Sequence, residues 1–245
     1  MDISEAQTYF QQATVVDHYA RAVSRVGLWK SEELIFKRLF QPEQSILELG
    51  CGAGRIGIGM WELGYQRVLA TDYCKEMVAE ARRINQALEY GVPVQQADAT
   101  NLQFEDGEFD GAIFGFNGLM QIPGRDNRFQ AMQEINRVLK PGSWFVFTGH
   151  DRNRHGRKSF WKEERKLWMK GQQNPMIQDF GDLYYENDDG YWMFIHAADS
   201  KEVTADLEEA GFRVDVSALR SEICLEPPEV RDFSDDTRFW VVQKV

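Results

Sequence analysis

Cysteine is scarce and scattered: Cys51, Cys74 and Cys224 form neither a CxxC pair nor a Cys/His group, and three thiols cannot close a disulfide framework. Reduced thiols are expected, with no metal site. Histidine is nearly as rare, at four residues. No apolar run is long enough to span a membrane and Met1 opens no signal-peptide pattern, so a soluble, cytoplasmic protein is expected. Positive charge is in deficit, with 28 Lys and Arg against 39 Asp and Glu, a net charge of −11. Broad binding to nucleic acid or to an anionic membrane demands a basic surface, so a small or cationic substrate is the easier partner. Repeats and low-complexity tracts are also missing.

What is present is organised around residues 45–54 of the 245. Ser45-Ile46-Leu47-Glu48-Leu49 is an apolar run of strand length that passes without a spacer into Gly50-Cys51-Gly52-Ala53-Gly54. Alternate glycines let bare backbone approach a ligand, and a helix starting near Arg55 offers unpaired N–H groups to it. Cys51 is small enough for such a loop. A carboxylate at Glu48, on an otherwise apolar strand, is costly unless it accepts loop amides or faces a cation.

Gly52-Ala53-Gly54-Arg55-Ile56-Gly57 fits the dinucleotide pattern G-x-G-x-x-G, with Asp72 as the ribose-binding acid. A pyrophosphate gains nothing from Glu48, whereas an aminoacyl sulfonium carries positive charge there. Read as Glu48-x-Gly50-x-Gly52-x-Gly54, the stretch resembles the first motif of class I S-adenosylmethionine-dependent methyltransferases. The helix end and turn Arg137-Val138-Leu139-Lys140-Pro141-Gly142 ahead of an apolar strand also resemble that family and are unusual in dinucleotide dehydrogenases.

The remaining chain fits around this centre. A helical cap is expected over 1–44, with one helix at 15–29 and another from Ser31 to the Pro42 stop. Tyr9, Phe10, Tyr19 and Trp29 either pack this cap on the core or shield the ligand. The segment around Gly27-Leu28-Trp29 resembles the cofactor lid of some of these enzymes, which would bring Tyr19 and Trp29 to the cofactor. A helix at 55–63 and a strand at 67–71 ending at Asp72 complete a β-α-β unit. Asp72 there can take both ribose hydroxyls or cap the next helix, and Tyr73 can lie against adenine. After a third strand at 92–96, Ala97-Asp98-Ala99-Thr100 resembles the family's adenine-binding turn, with Asp98 otherwise a plain turn residue. The fourth strand, 109–114, ends at Gly115-Phe116-Asn117-Gly118, which should border the reacting methyl group. The Asn-Pro-Pro-Tyr signature of many nucleic-acid and glutamine amino-methyltransferases is missing there.

Residues 150–198 leave the common pattern. They hold a basic cluster (Arg152, Arg154, Arg157, Lys158), a helix in which Phe160 and Leu167, and Trp161 and Trp168, recur seven apart, and a hairpin of 183–186 with 191–196. This insertion is expected to cover the substrate edge of the sheet. A helix from 199 and strands at 212–218 and 238–242 return to the core.

The resemblance, covering about 45–149 and 199–245, implies an α/β, Rossmann-like, doubly wound seven-stranded sheet with its last strand antiparallel, helices on both faces and an α+β cap insertion. It implies in-line methyl transfer from S-adenosyl-L-methionine, leaving S-adenosyl-L-homocysteine, to a small-molecule acceptor. The cofactor set it implies is Glu48, Gly50, Cys51, Gly52, Gly54, Arg55, Asp72, Tyr73, Asp98, Ala99, Phe116 and Asn117, with Tyr19 and Trp29 from the cap. A hydroxyl or protonated amine acceptor would use a general base, for which His150, His155, His196 and Tyr185 are the candidates. Competing classes are an RNA-modifying methyltransferase, an NAD(P)-dependent oxidoreductase and a non-catalytic cofactor-binding protein. Oligomeric state cannot be read from the sequence.

Overall fold

The computed structural model describes residues 5–6, 8–154, 157–186 and 190–245. Two helices, α1 (Ala13–Arg25) and α2 (Lys30–Leu39), precede the first strand. The expected single helix over 15–29 is broken because Gly27 sits at φ 59°, a conformation that stops a right-handed helix at little cost only for glycine.

Strands β1 (Ile46–Glu48), β2 (Val68–Asp72), β3 (Val94–Gln96), β4 (Phe109–Phe114) and β5 (Leu139–Gly149) alternate with α3 (Arg55–Glu62), α4 (Lys75–Ala87) and α5 (Arg125–Val138). The last two core strands, β8 (Phe212–Leu219) and β9 (Arg238–Lys244), follow a hairpin of β6 (Asp182–Glu186) and β7 (Trp192–His196). Seven strands pair in the order β3-β2-β1-β4-β5-β9-β8. The last strand, β9, runs antiparallel to both neighbours while the others are mutually parallel. The fold class implied by the glycine loop is thus the one observed.

Alternation along the strands divides the core into two layers. Leu47, Ala112, Phe145 and Phe147 face α5 and α7 (Ser200–Glu209), while Ile46, Ile113, Val146 and Val241 face Phe36, Phe40 and Met60 of α2, α3 and their flanks. Each of the larger buried side chains among these contributes about 1.5–3 kcal/mol. β5 extends further back than expected. Lys140-Pro141-Gly142 does not separate helix from strand, because Leu139 already has extended geometry and pairs with Phe109 before the register shifts to Gly111–Trp144.

Between β5 and α7 lies the insertion, with α6 (Lys158–Met169) and the separate β6-β7 sheet. Of the four aromatic and leucine residues that recur seven apart on α6, Trp161 is buried, Trp168 half-buried, and Phe160 and Leu167 exposed. Phe180 decides this, because it takes Trp161 and Trp168 edge-on at 5.9 Å and so fixes which face turns inward. Two short helices, α8 (Arg220–Ile223) and α9 (Pro228–Phe233), lead into β9. No helix among the described residues is long and apolar enough to cross a membrane.

Candidate functional site

The carboxyl ends of β1, β2 and β4 open into a cavity of about 1160 Å³, counting its mouth. Gly50, Gly52 and Gly54 all have positive φ (60°, 54° and 95°), so the chain after β1 folds back on itself, and Gly50 and Gly52 line the cavity. A methyl group on Gly50 would meet the Phe114 ring at 2.6 Å, and one on Gly52 would touch Tyr19 at 3.4 Å. Gly57, the third glycine of the dinucleotide-like reading, makes room for a carboxylate instead, since a side chain there would meet Glu48 Oε2 at 2.7 Å.

Glu48 lines the cavity floor at 1% exposure, and its Oε2 is buried with no hydrogen-bond partner. Burial pushes its carboxyl up to about 8, an effect that nearby Arg55 only partly offsets. Arg55 is itself committed. Its guanidinium meets both oxygens of Glu32 at 2.6 and 2.7 Å, donates to the Gly27 carbonyl at 2.8 Å, and lies 4.8 Å from the Trp29 ring centre. Arg220 approaches Trp29 at the same distance, so the fully buried indole is flanked by two guanidinium groups and does not reach the cavity.

Asp72 also lines the cavity. Its Oδ2 accepts the Gly52 N–H and its Oδ1 the Cys74 N–H, both at 2.8 Å, tying the second strand to the glycine loop. Burial raises its carboxyl to about 6. Asp98 uses Oδ1 to hold Thr100 through N–H and hydroxyl at 2.8 and 2.7 Å, which closes the turn that also carries Ala99 along the cavity wall.

At the tip of β4, Phe116 and Asn117 have φ of 46° and 64°, a left-handed pair without glycine's freedom. The pair is held in place. Asn117 N–H donates to Thr148 Oγ1 at 2.9 Å, and the Phe116 ring packs on Tyr19, Trp29 and Phe233 at 5.8, 5.8 and 5.2 Å. Tyr19 comes from α1 and lines the cavity together with Gln121, so the N-terminal segment supplies part of its wall.

The cavity therefore gathers Glu48, Gly50, Cys51, Gly52, Arg55, Asp72, Tyr73, Asp98, Ala99, Phe116 and Tyr19. Gly54, Asn117 and Trp29 stand behind its wall rather than in it. Phe10, Gln121 and Phe233 line it and were not singled out as ligand contacts in the sequence. Phe10 belonged to an aromatic cluster that pointed there; Gln121 and Phe233 carried no local signal.

Of the base candidates, His196 is 1% exposed and spans Asp182 and Glu202 at 2.7 and 2.8 Å, away from the cavity. His150 sits just beyond β5 and its imidazole is held below its ordinary pKa by burial. Tyr185 is exposed on β6, and both it and His150 feel the charges of Arg157 and Asp235. His155 lies outside the described residues, as do residues 187–189 of the expected hairpin turn. The three arginines of the basic cluster meet acids from elsewhere in the chain: Arg152 meets Glu202 at 3.4 Å, and Arg154 and Arg157 meet Asp235 at 3.5 and 3.2 Å.

A methyltransferase-domain family profile matches residues 46–142. The chain is similar to a 2-phytyl-1,4-naphtoquinone methyltransferase of Synechocystis, 34% identical over 119 residues that make up 47% of this chain and 48% of the relative. It is similar to a (+)-O-methylkolavelool synthase of Herpetosiphon aurantiacus, 34% identical over 117 residues, 47% of this chain and 40% of the relative. The chain thus spans about half the length of the curated relatives it matches. Over nearly its whole length the fold is shared with a SAM-dependent methyltransferase of Methanosarcina mazei, with a TM-score of 0.67 at 23% identity, covering 86% of this chain and 97% of that one. Residues 46–142 thus match a methyltransferase domain, and the fold that carries them is the one seen in a solved S-adenosylmethionine-dependent methyltransferase.

Proposed function

We propose that the protein binds S-adenosyl-L-methionine in this cavity and catalyses transfer of its methyl group to a small, largely apolar acceptor. The observation that carries this reading is the presence, in the lining of one cavity, of two buried carboxylates, Glu48 and Asp72, the second of which accepts the Gly52 amide of the glycine loop. A cationic ligand with a diol fits that donor set, whereas a pyrophosphate would face two acids.

Glu48 would receive the cationic aminoacyl end, Asp72 the ribose hydroxyls, and Asp98 with Ala99 the adenine edge, with Tyr73 against the ring. When bound, the sulfonium supplies a methyl group on a good leaving group. What remains for the chain itself is alignment. The left-handed Phe116-Asn117 pair fixes one wall, and Tyr19 with Gln121 supplies more of the lining. Arg55 acts at one remove, as the strut between the loop helix and α2.

The acceptor would enter past Phe116, Phe233 and Gln121, from the side where His150 and Tyr185 share the neighbourhood of Asp235. His150, kept neutral by burial, is the better proton acceptor of the two. His196 is spent on two carboxylates, and no role in the transfer is assigned to it. An apolar acceptor is favoured by the aromatic wall and by relatives whose names include a phytyl naphthoquinone. An RNA acceptor is disfavoured because the arginines that would meet phosphates are already paired.

Incubation with methyl-labelled S-adenosylmethionine and cell extract, followed by partition into organic solvent, tests the reading. Label should enter organic-soluble products; label recovered in RNA, or in nothing, would contradict it.

A further inference from the structure

One helix of the insertion reverses the charge of the rest of the chain. Between Arg157 and Lys170 there are six basic and two acidic residues, +4 in a protein of net −11. Lys158, Lys162, Lys166 and Lys170 recur every fourth residue, so they form one stripe along α6, and all four are exposed. Lys166 meets Glu163 at 2.7 Å; the other three have no ion-pair partner among the described residues.

The opposite face is occupied. Trp161 and Trp168 pack on Phe180, and Arg165 lies 4.7 Å from the same ring, so the lysine stripe is turned outward by a fixed contact. Exposed apolar side chains accompany it: Phe160 and Leu167 along one side at 42% and 37% exposure, and Met169 near its C-terminal end at 84%. Met169 and the lysines stand free of the chain's own packing, while Phe160 and Leu167 are only partly covered, Phe160 by the edge of Trp161 at 5.0 Å.

We propose that α6 docks on an anionic lipid surface. Lysines attracted to anionic headgroups, bordered by side chains able to enter the acyl boundary, are the two components of an interfacial helix. The net charge of the whole chain does not oppose this, because attraction to a surface decays within about 10 Å and is set by the charges nearest it. A nucleic acid fits less well: leucine and methionine do not stack on bases, and the arginines of the insertion are turned to Asp235, Glu202 and Phe180.

The place of the helix gives docking a use. Its N-terminal neighbour Arg157 is bound to Asp235, two residues beyond Phe233 of the cavity wall. A docked helix would hold the cavity mouth near the lipid surface, from which an apolar acceptor could pass without crossing water. Docking itself does not depend on the methyl-transfer reading and is measured without turnover.

Co-sedimentation of the intact protein with phosphatidylcholine vesicles, with and without phosphatidylglycerol, is the test. Binding should require the anionic lipid and weaken as salt rises. Replacing the four lysines together (K158Q, K162Q, K166Q and K170Q) should weaken it on the order of a thousandfold, with the circular dichroism spectrum and cofactor affinity unchanged. Phe160→Ser with Met169→Ser should remove the salt-resistant part of the binding. Equal binding to neutral and anionic vesicles would overturn the proposal. So would full binding by the lysine variant, or binding of polyuridylate through the same lysines with none to vesicles.

Discussion

Glu32 and Arg55, 23 residues apart, form a two-pronged ion pair at 2.6 and 2.7 Å that is closed to solvent and joins the N-terminal helix α2 to the helix behind the glycine loop. The same carboxylate accepts the Trp29 N–H, and Glu226 accepts the next two amides, of Lys30 and Ser31, at 3.0 and 2.9 Å. The start of α2 is therefore fastened from both the loop helix and the C-terminal segment. α1, whose Tyr19 lines the cavity, hangs from this fixed point through Gly27.

Arg55→Met would leave Glu32 charged, buried and without its partner. Loss of about 3–5 kcal/mol of stability is expected, and the double variant Glu32→Leu with Arg55→Met should recover most of it. Denaturant unfolding of the four proteins of the cycle measures the coupling. A single variant as stable as the parent would show that the pair holds nothing.

Gly50→Ala places a methyl group 2.6 Å from the Phe114 ring on a backbone at φ 60°. Strain and overpacking together should cost about 2–4 kcal/mol, and cofactor binding should be lost even in the folded fraction. Thermal unfolding and a ligand titration separate the two effects.

Burial raises the Asp72 carboxyl from 3.8 to about 6 and that of Glu48 from 4.5 to about 8. The folded, ligand-free protein thus keeps protons that the unfolded chain has released, and its stability should fall as pH rises from about 4 through about 8. A cationic ligand asks for the opposite state of Glu48. Affinity should therefore climb as pH approaches about 8, with protons released on binding. Calorimetry in buffers of different ionisation enthalpy reads that release, and Glu48→Gln should abolish it.

His196 is placed between Asp182 and Glu202, whose carboxyls are held below their ordinary values by the hydrogen bond to the imidazole, against the opposing effect of burial. The stability this gives is present above the usual carboxyl range and lost as pH falls through the lowered values. His196→Ala should cost about 3–5 kcal/mol and loosen the β6-β7 hairpin. Hydrogen exchange across 182–196 should report the loosening, and cofactor affinity should be unaffected. Lost affinity with an intact hairpin would instead place His196 in the site.

Much of this was legible because it is local. The glycine loop, Asp72 at the end of β2 and the turn at Asp98 each declare themselves within a few residues, and the strand alternation around them follows from two-faced burial. What was hidden depends on residues brought together from far apart. Nothing near Lys30 announces that Glu226 caps its helix, and nothing in Arg154-His155-Gly156-Arg157 says that Asp235 pairs with both arginines. Phe233 enters the cavity from a short helix in a stretch that reads as loop. The lone-histidine signal at His196 was ambiguous for the same reason: only the packed hairpin shows two acids around it.

Titration calorimetry of the intact protein with S-adenosylhomocysteine, repeated on Asp72→Ala, tests the cofactor assignment most directly. Saturable one-to-one binding is expected, weakened by about 1.5–3 kcal/mol in a variant that keeps its circular dichroism spectrum, the scale of losing hydrogen bonds to a charged acceptor. An unchanged dissociation constant in folded Asp72→Ala would remove that carboxylate from the site. Binding of a nicotinamide dinucleotide but not of S-adenosylhomocysteine would contradict the assignment altogether.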